Sequence, residues 1–436
     1  MRRILKNGTV IDYATNTNDK LDILIEDGKI KTICSNLELD VDEVIDCTGL
    51  YIMPGMVDIH CHLREPGFEY KETIESGCKS AVKGGFTTIC AMPNTKPVPD
   101  NADVLKWIIE EGKRVNLCNV FSYSTVSKGE LGRELVDFEE QVKTGAIAFS
   151  DDGVPLKNSK LMRDAIIKTT KLGKFVASHC EDEYFIGGGI NAGPVAEKLG
   201  VEGVCRESEE IMAAREIAIA SINNARVHLC HISTEGTVAL VKDAKTRGVG
   251  VTTETCPHYF MLTDEDALIS GSNAKINPPL RTKKDIEAII KGLQDGTIDA
   301  IVTDHAPHSK EEKSRGLAVA PWGVIAFETA LAVTITALVD KGYISYLDMV
   351  KLMSYNPAKL INIDKGTIEE GKDADFTIFN PNIEYTYTED MIVSKSKNSP
   401  FIGKKLKGKV VYTIVGGNIV YLSLIHISEP TRLDVI

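Results

Sequence analysis

Short apolar runs recur through the middle of the chain, and each stops at a polar residue. Eight can be counted: VDIHCH, TTICAMP, RVNLCNVFSYS, AIAFSDD, FVASHCED, RVHLCHIS, GVTTETCPHYF and IDAIVTDHAP. The intervals carry helical spacing, as in ADVLKWIIEEGKR, KLMRDAIIKTTKLG and EEIMAAREIAIASI. Eight strands alternating with helices predict an α/β fold, a (β/α)8 TIM barrel, whose active site is built at the C-terminal ends of the strands. The two ends of the chain have a different texture. RRILKNGTVID, DILIEDGKIKTI and VIDCTGLYIMPG near the start read as short strands and turns, as do GTIEEGKDADFTIFN and KVVYTIVGGNIVY near the finish. Asp27-Gly28 and Gly416-Gly417 mark tight turns among them. This pattern predicts a small β-sandwich domain assembled from both termini, residues 1–53 with 365–421, beside a barrel of residues 54–364.

Composition narrows the picture. A chain of 436 residues exceeds the size at which one core stops growing, in keeping with two structural units. Hydrophobic residues at 43% and charged residues at 26% are ordinary for a globular protein. A net charge of −12, with no Lys/Arg-rich stripe, argues against a nucleic-acid-binding face. It leaves room for an anionic substrate, because one well-placed Arg binds a carboxylate locally. The ten cysteines are scattered without a C-x-x-C pair, and Cys61, Cys90 and Cys230 lie inside apolar runs. Reduced thiols in a cytoplasmic protein are the reading this supports. MRRILKNGTVIDYATN lacks the apolar stretch of a signal peptide. The longest apolar run, residues 322–339, carries Glu328 and three threonines, which predicts a helix packed on the barrel and no membrane span. Residues 422–436 end in SLIHISEPTRLDVI, which resembles a translated sequencing adaptor. They are set aside as a non-native tail, and His426 with them.

Six candidate metal ligands sit at the ends of five predicted strands: His60, His62, Asp152, His179, His231 and Asp304. Imidazoles and carboxylates together suit zinc and similar divalent ions, and catalytic sites leave such an ion one open position. On a strand His60 and His62 face the same way, with Cα atoms roughly 6.6 Å apart. Pro54-Gly55 breaks the chain before that strand, and Arg64-Glu65-Pro66-Gly67 opens a loop after it. Alone, each candidate has a plainer reading. Asp151-Asp152-Gly153 reads as a solvated turn with Gly153 at positive φ, and spacing does not choose between the two acids. His179 and His231, taken singly, read as hydrogen-bonded core histidines. His228, three residues before His231, should face away and is structural. Asp304 would need a partner if buried, and a cation is one. Jointly the six come from strands one, four, five, six and eight and converge on one barrel mouth. That convergence points to a metal-dependent hydrolase.

With these motifs in view, the chain resembles the bacterial type I dihydroorotases of the amidohydrolase superfamily, from Gly8 to about Tyr421. The specific runs are PGMVDIHCHLREPG, KGGFTTICAMPNTKPVPD, AFSDDG, INPPLR and TDHAPH. The resemblance implies that His60, His62 and Asp304 hold one metal and His179 and His231 a second, with Asp152 bridging. The metal would be Zn2+, two per subunit. Arg64, Asn94 and Asn277 would bind the substrate carboxylate and ring amides, with His62, His308, Trp322 and Gly323 completing the contacts. Asp304 would act as general base and general acid. The charged, Gly-containing stretch 308–323 would form a mobile lid.

The implied reaction is the reversible cyclisation of N-carbamoyl-L-aspartate to dihydroorotate in pyrimidine biosynthesis. A homo-oligomer, a dimer, is expected, and association with aspartate carbamoyltransferase is admitted; nucleic-acid and membrane partners are not. One alternative is another cyclic amidohydrolase, an allantoinase or dihydropyrimidinase. AFSDDG lacks the bridging lysine of hydantoinases and most allantoinases, which counts against it, as does the Arg64/Asn94 pair. The other is a silent scaffold homologue, which should have lost ligands.

Overall fold

The computed structural model describes residues 1–423. Strands β1 (Arg2–Asp12), β2 (Thr17–Glu26), β3 (Lys29–Cys34), β4 (Glu43–Asp46) and β5 (Tyr51–Pro54) open the chain. The barrel strands follow: β6 (Met56–Cys61), β7 (Phe86–Ala91), β8 (Asn119–Ser122), β9 (Val176–Ser178), β10 (Arg226–Leu229), β11 (Gly250–Thr255) and β12 (Ala300–Ile301). The chain then returns through β13 (Phe376–Thr386), β14 (Lys405–Val415) and β15 (Asn418–Leu422).

The terminal strands interleave as expected. Their sheet runs β15-β14-β13-β5-β1-β2-β3, with β4 paired to β1. The seam between the two ends is the antiparallel pairing of β5 with β13, where Ile52 faces Ile378. Leu5, Val10, Ile23, Ile52, Phe376, Ile378, Val411 and Ile414 form a core of their own beneath it. Burying each such side chain is worth roughly 1.5–3 kcal/mol. Both predicted turns form, with positive φ at Asp27, Gly28, Gly416 and Gly417. They also pack together: a Cβ on Gly28 would lie 2.9 Å from the Gly416 carbonyl oxygen. Leu422, expected at the start of the foreign tail, pairs with Tyr412, and the Ser423 N–H donates to Val411 O at 2.9 Å. The rest of that tail, His426 included, lies outside the described residues.

From β5 the chain passes into the barrel through Gly55, where any Cβ would collide with the Thr87 side chain. β6-β7-β8 and β9-β10-β11-β12 form two parallel sheets. The run AIAFSDD joins them through a single residue: Phe149 bridges Ser124 on one side and Val176 on the other. The cylinder closes where Cys61 bridges His305, with Asp304 N–H donating to His60 O at 3.0 Å and His62 N–H to His305 O at 2.8 Å. The predicted helices appear as Ala102–Val115, Ser159–Lys171 and Glu207–Ile222. Two expectations need correction. GVTTETCPHYF stops being a strand at Thr255, because Pro257 opens the short helix Pro257–Met261. In the run 322–339 helix begins only at Ala330. Before it, Val324 bridges His305 and Ile325 N–H donates to Asn398 O, so tertiary pairing overrides local helix preference. All ten cysteines are free, and among the described residues no helix is long and apolar enough to cross a membrane.

Candidate active site

At the closed rim the six candidate ligands come together. Asp152 lies between all four imidazoles: its Oδ1 is 3.6 Å from His60 Nε2, 3.6 Å from His179 Nδ1 and 3.7 Å from His231 Nε2. Its Oδ2 is 3.5 Å from His62 Nε2. Asp304 Oδ1 approaches His62 Nε2 at 3.1 Å and His60 Nε2 at 3.6 Å. All six residues are buried, none more than 5% exposed. Asp151 is buried too, so the solvated-turn reading fails for the pair. It accepts hydrogen bonds from the N–H groups of Val126 and Ser127 and from the Ser127 hydroxyl, tying down the neighbouring loop. Asp152 alone faces the histidines.

These atoms fit a divalent cation. His60 Nε2 and Asp152 Oδ1 are buried without a hydrogen-bond partner, yet face each other across 3.6 Å. Subsets of the cluster, His60–Asp152–His231 and His60–His62–Asp304, hold donor atoms within 4.8 Å of one another. The electrostatics ask for positive charge. Burial alone would lower the His60 pKa, but the carboxylates of Asp152, Glu254 and Asp304 outweigh it and raise it to about 10. At His179 burial is likewise overcome, chiefly by Glu181, and the pKa rises to about 9. Burial pushes Asp304 the other way, yet the hydrogen bond from His62 and the nearby histidines hold it down at about 2. A cation would satisfy the same field.

Three carboxylates escaped the sequence reading. Glu254 binds His60 Nδ1 at 2.7 Å and His228 Nε2 at 3.0 Å, and His228 Nδ1 meets the Thr252 hydroxyl at 2.9 Å. Glu181 binds His179 Nε2 at 3.1 Å and accepts from Asn277 Nδ2. Such partners fix tautomer and ring orientation, so the other nitrogen presents its lone pair to the metal position. Asp58 accepts from Thr303 N–H and hydroxyl, joining the first barrel strand to the last. Glu181 had a signal, since it lies two residues beyond His179. Glu254 lies one residue before the end of β11, among threonines, without the apolar run that marks the ligands.

Backbone conformation marks the site as well. Arg64, His231 and Asp304 have φ of 64°, 33° and 45°. Side-chain-bearing residues enter this left-handed region at a cost of order 1–3 kcal/mol.

Above the cluster lies a cavity of about 170 Å³. Its walls include Arg64, Asn94, Asn277, His308, Trp322 and Gly323, the six residues expected there besides His62, which is present too; Gly153 and Ala306 complete it. His60 lies beneath, fully buried. Three larger grooves elsewhere, of about 330, 380 and 560 Å³, hold no comparable set of convergent ligands, so chemistry and not size identifies the site. Asn94 Oδ1 accepts from His62 Nδ1 at 2.8 Å, leaving Nε2 for the cluster. Arg64 donates Nε–H to Pro307 O at 3.1 Å, and every ion pair found among the described residues leaves it out. A buried guanidinium without a carboxylate is set to receive one from a ligand. His308 Nε2 faces both Trp322 O at 2.7 Å and Arg64 Nη2 at 3.2 Å; Lys71 donates to Nδ1 at 3.2 Å, which together with the shorter carbonyl contact places the ring proton on Nε2. Burial, with Arg64, Lys71 and Lys313 nearby, holds His308 well below the usual imidazole range and neutral.

A (β/α)8 barrel carrying a His/Asp cluster at its mouth is the architecture of a metal-centred hydrolase. The amidohydrolase family model matches residues 51–420, and the chain belongs to that family. Within the family it is similar to the dihydroorotase of Acetivibrio thermocellus, at 48% identity over 96% of this chain and 98% of the relative. The dihydroorotase of Clostridioides difficile is also 48% identical, over 96% and 99%. Among solved structures, the L-hydantoinase (dihydropyrimidinase) from Arthrobacter aurescens superposes with a TM-score of 0.86 at 26% identity, covering 96% of this chain and 95% of that one.

Proposed function

We propose that this chain is a zinc-dependent cyclic amidohydrolase with dihydroorotase activity, interconverting N-carbamoyl-L-aspartate and (S)-dihydroorotate in pyrimidine biosynthesis. One observation carries the reading: Asp152 lies within 3.7 Å of four imidazoles in the cavity that also holds an unpaired, buried Arg64. His60, His62 and Asp304 would hold one zinc ion, His179 and His231 a second, and Asp152 would bridge them. A bound divalent cation lowers the pKa of water towards roughly 7 and polarises the scissile carbonyl.

The remaining work falls to the chain's own groups. Arg64 offers a planar fork to the substrate carboxylate, which a lysine would not reproduce. Asn94 and Asn277 face the ring amides. Trp322, Gly323 and the neutral His308 enclose the ring against water. Asp304, held ionised at about 2, takes a proton from the attacking water through a carboxylate oxygen and returns one to the departing ring nitrogen.

The same reading makes residues 1–53 with 365–421 a separate β-domain, residues 54–364 the catalytic barrel, and residues 422–436 a foreign tail. It also expects a cytoplasmic homodimer, with aspartate carbamoyltransferase as a candidate partner. A second reading, a dihydropyrimidinase-like hydrolase, draws on the likeness to L-hydantoinase. It is weakened by the absence of a lysine at position 152 and by the anion-ready Arg64. A scaffold role is weakened by the presence of all six ligands.

Hydrolysis of dihydroorotate, hydantoin and allantoin, each with and without exhaustive chelation, tests the proposal. Dihydroorotate should be preferred, chelation should abolish turnover, and elemental analysis should find about two zinc ions per chain. Preference for hydantoin, or full activity after verified metal removal, would refute it.

A further inference from the structure

Two lysines next to the cavity are buried in a way that lysine rarely is. Lys275 is 2% exposed and Lys313 4%. A buried ammonium ion usually finds a carboxylate. Here every acceptor is a backbone carbonyl. Lys275 Nζ donates to Gly188 O at 2.5 Å, Leu317 O at 2.6 Å and Ala318 O at 3.4 Å, and sits 4.5 Å over the Trp322 ring. Lys313 Nζ donates to Lys275 O at 3.2 Å, Pro321 O at 3.0 Å and Gly323 O at 2.9 Å. The Gly323 N–H also donates to Lys275 O, at 3.0 Å.

The carbonyls belong to three different stretches of chain. One is the loop at Gly188, so close to the 308–323 segment that a Cβ there would lie 3.2 Å from Ala318 O. The second is the segment leading to Asn277, two residues beyond Lys275. The third is the 308–323 segment, which supplies His308, Trp322 and Gly323 to the cavity wall. Burial pushes Lys275 down to about 8, and burial together with the neighbouring Lys275 charge pushes Lys313 down to about 7. An uncompensated cation is costly to keep unless it holds something in place.

We propose that Lys275 and Lys313 are positioning residues, a pair of buried ammonium groups that cross-tie three loops and hold Trp322 and Gly323 against the substrate ring. The proposal rests on the substrate contacts assigned above. It also changes the expectation for residues 308–323, which form a lid held down from both ends and not a freely swinging one.

The test uses Lys275→Met and Lys313→Met, which keep the apolar stem and remove the charge, with Lys313→Gln as a gentler variant that keeps a donor. In the metal-loaded enzyme both Met variants should raise KM for dihydroorotate roughly ten- to hundred-fold, the scale of lost charge-assisted hydrogen bonds, with a much smaller change in kcat. Lys313→Gln should recover part of that loss. Cleavage by a glutamate-specific protease at Glu311 and Glu312, sites shared by all the variants, should be faster than in the wild type. Unchanged KM with wild-type cleavage rates overturns the proposal, as does a fall in kcat and melting temperature with KM untouched. If a Met variant does not fold, Lys313→Gln decides by the same two readouts. A wild type inert toward dihydroorotate would sink the functional assignment alone, while the cleavage rates would still decide the cross-tie.

Discussion

The barrel mouth and the terminal sheet differ in where their left-handed residues fall: at turns in the sheet, beside the candidate ligands at the mouth. In the terminal sheet the left-handed, side-chain-bearing residues are Asn7, Asn16, Asp27 and Asn36, types whose short polar side chains tolerate that region and favour turns. At the mouth they are Arg64, His231 and Asp304, of which Asp and His share that tolerance and Arg64 does not. The two regions differ in polarity as well. The sheet buries Leu5, Ile52, Phe376 and Ile378 and leaves charge pairs such as Lys29–Asp373 half exposed. The mouth buries imidazoles, carboxylates, a guanidinium and two ammonium groups. Stability is concentrated in one region, and the other spends part of it holding reactive groups in place.

Substitutions in the two regions should therefore separate activity from stability. The largest effect on activity is expected from Asp304→Asn, which should lower turnover of the metal-loaded enzyme by roughly 10²–10⁴-fold while thermal unfolding stays close to wild type. Near-normal turnover in that variant would remove Asp304 from its acid–base role. Phe376→Ala should do the reverse, costing about 3–5 kcal/mol in denaturant unfolding and leaving kcat/KM of the folded enzyme intact. A matching loss of kcat/KM would mean that the sheet contributes to catalysis.

Arg64→Ala comes next, with KM for dihydroorotate rising roughly ten- to hundred-fold and a smaller change for uncharged hydantoin. Equal changes for the two substrates would end its assignment as the carboxylate anchor. The smallest effect concerns Asp285, on the barrel's outer side. Arg206 grips it through both oxygens at 2.5 Å. Burial opposes ionisation there, but Arg206 and Thr282 hold the pKa at about 2 against an ordinary 3.8. A folded-state pKa below the unfolded one gives stability that is complete above about 3.8 and fades as pH falls through about 2. The melting-temperature gap between wild type and Asp285→Asn should be steady at neutral pH and close in strong acid. A gap unchanged at about pH 2 would contradict the linkage.

Much of the site was readable before any fold was seen. His60 and His62 follow from strand alternation, and the ends of apolar runs pick out His179, His231 and Asp304. Asp152 was not separable from Asp151 by spacing, because both lie in one turn and only their burial partners differ. Glu181 lies two residues beyond His179 and Glu254 near the end of β11, but nothing in the spacing separates an orienting carboxylate from a solvated one. The fourth barrel strand was expected as a run and exists as Phe149 alone, since neighbours on both sides supply its pairing. Residues 322–329 read as helix and do not form one, because His305 and Asn398 offer pairing that outweighs local preference.

Local sequence alone sets the strand–helix alternation, the two glycine turns and five of the six candidate ligands, leaving Asp152 unresolved from Asp151. These depend on alternation, turn geometry and residue chemistry, all of which act over a few neighbouring positions. Tertiary structure alone decided that Asp152 meets four imidazoles, that Arg64 stands without a carboxylate and that Lys275 and Lys313 bind only carbonyls. The physical reason is closure of the barrel. It brings His62 and Asp304, 242 positions apart, within 3.1 Å, and no short-range rule contains that distance.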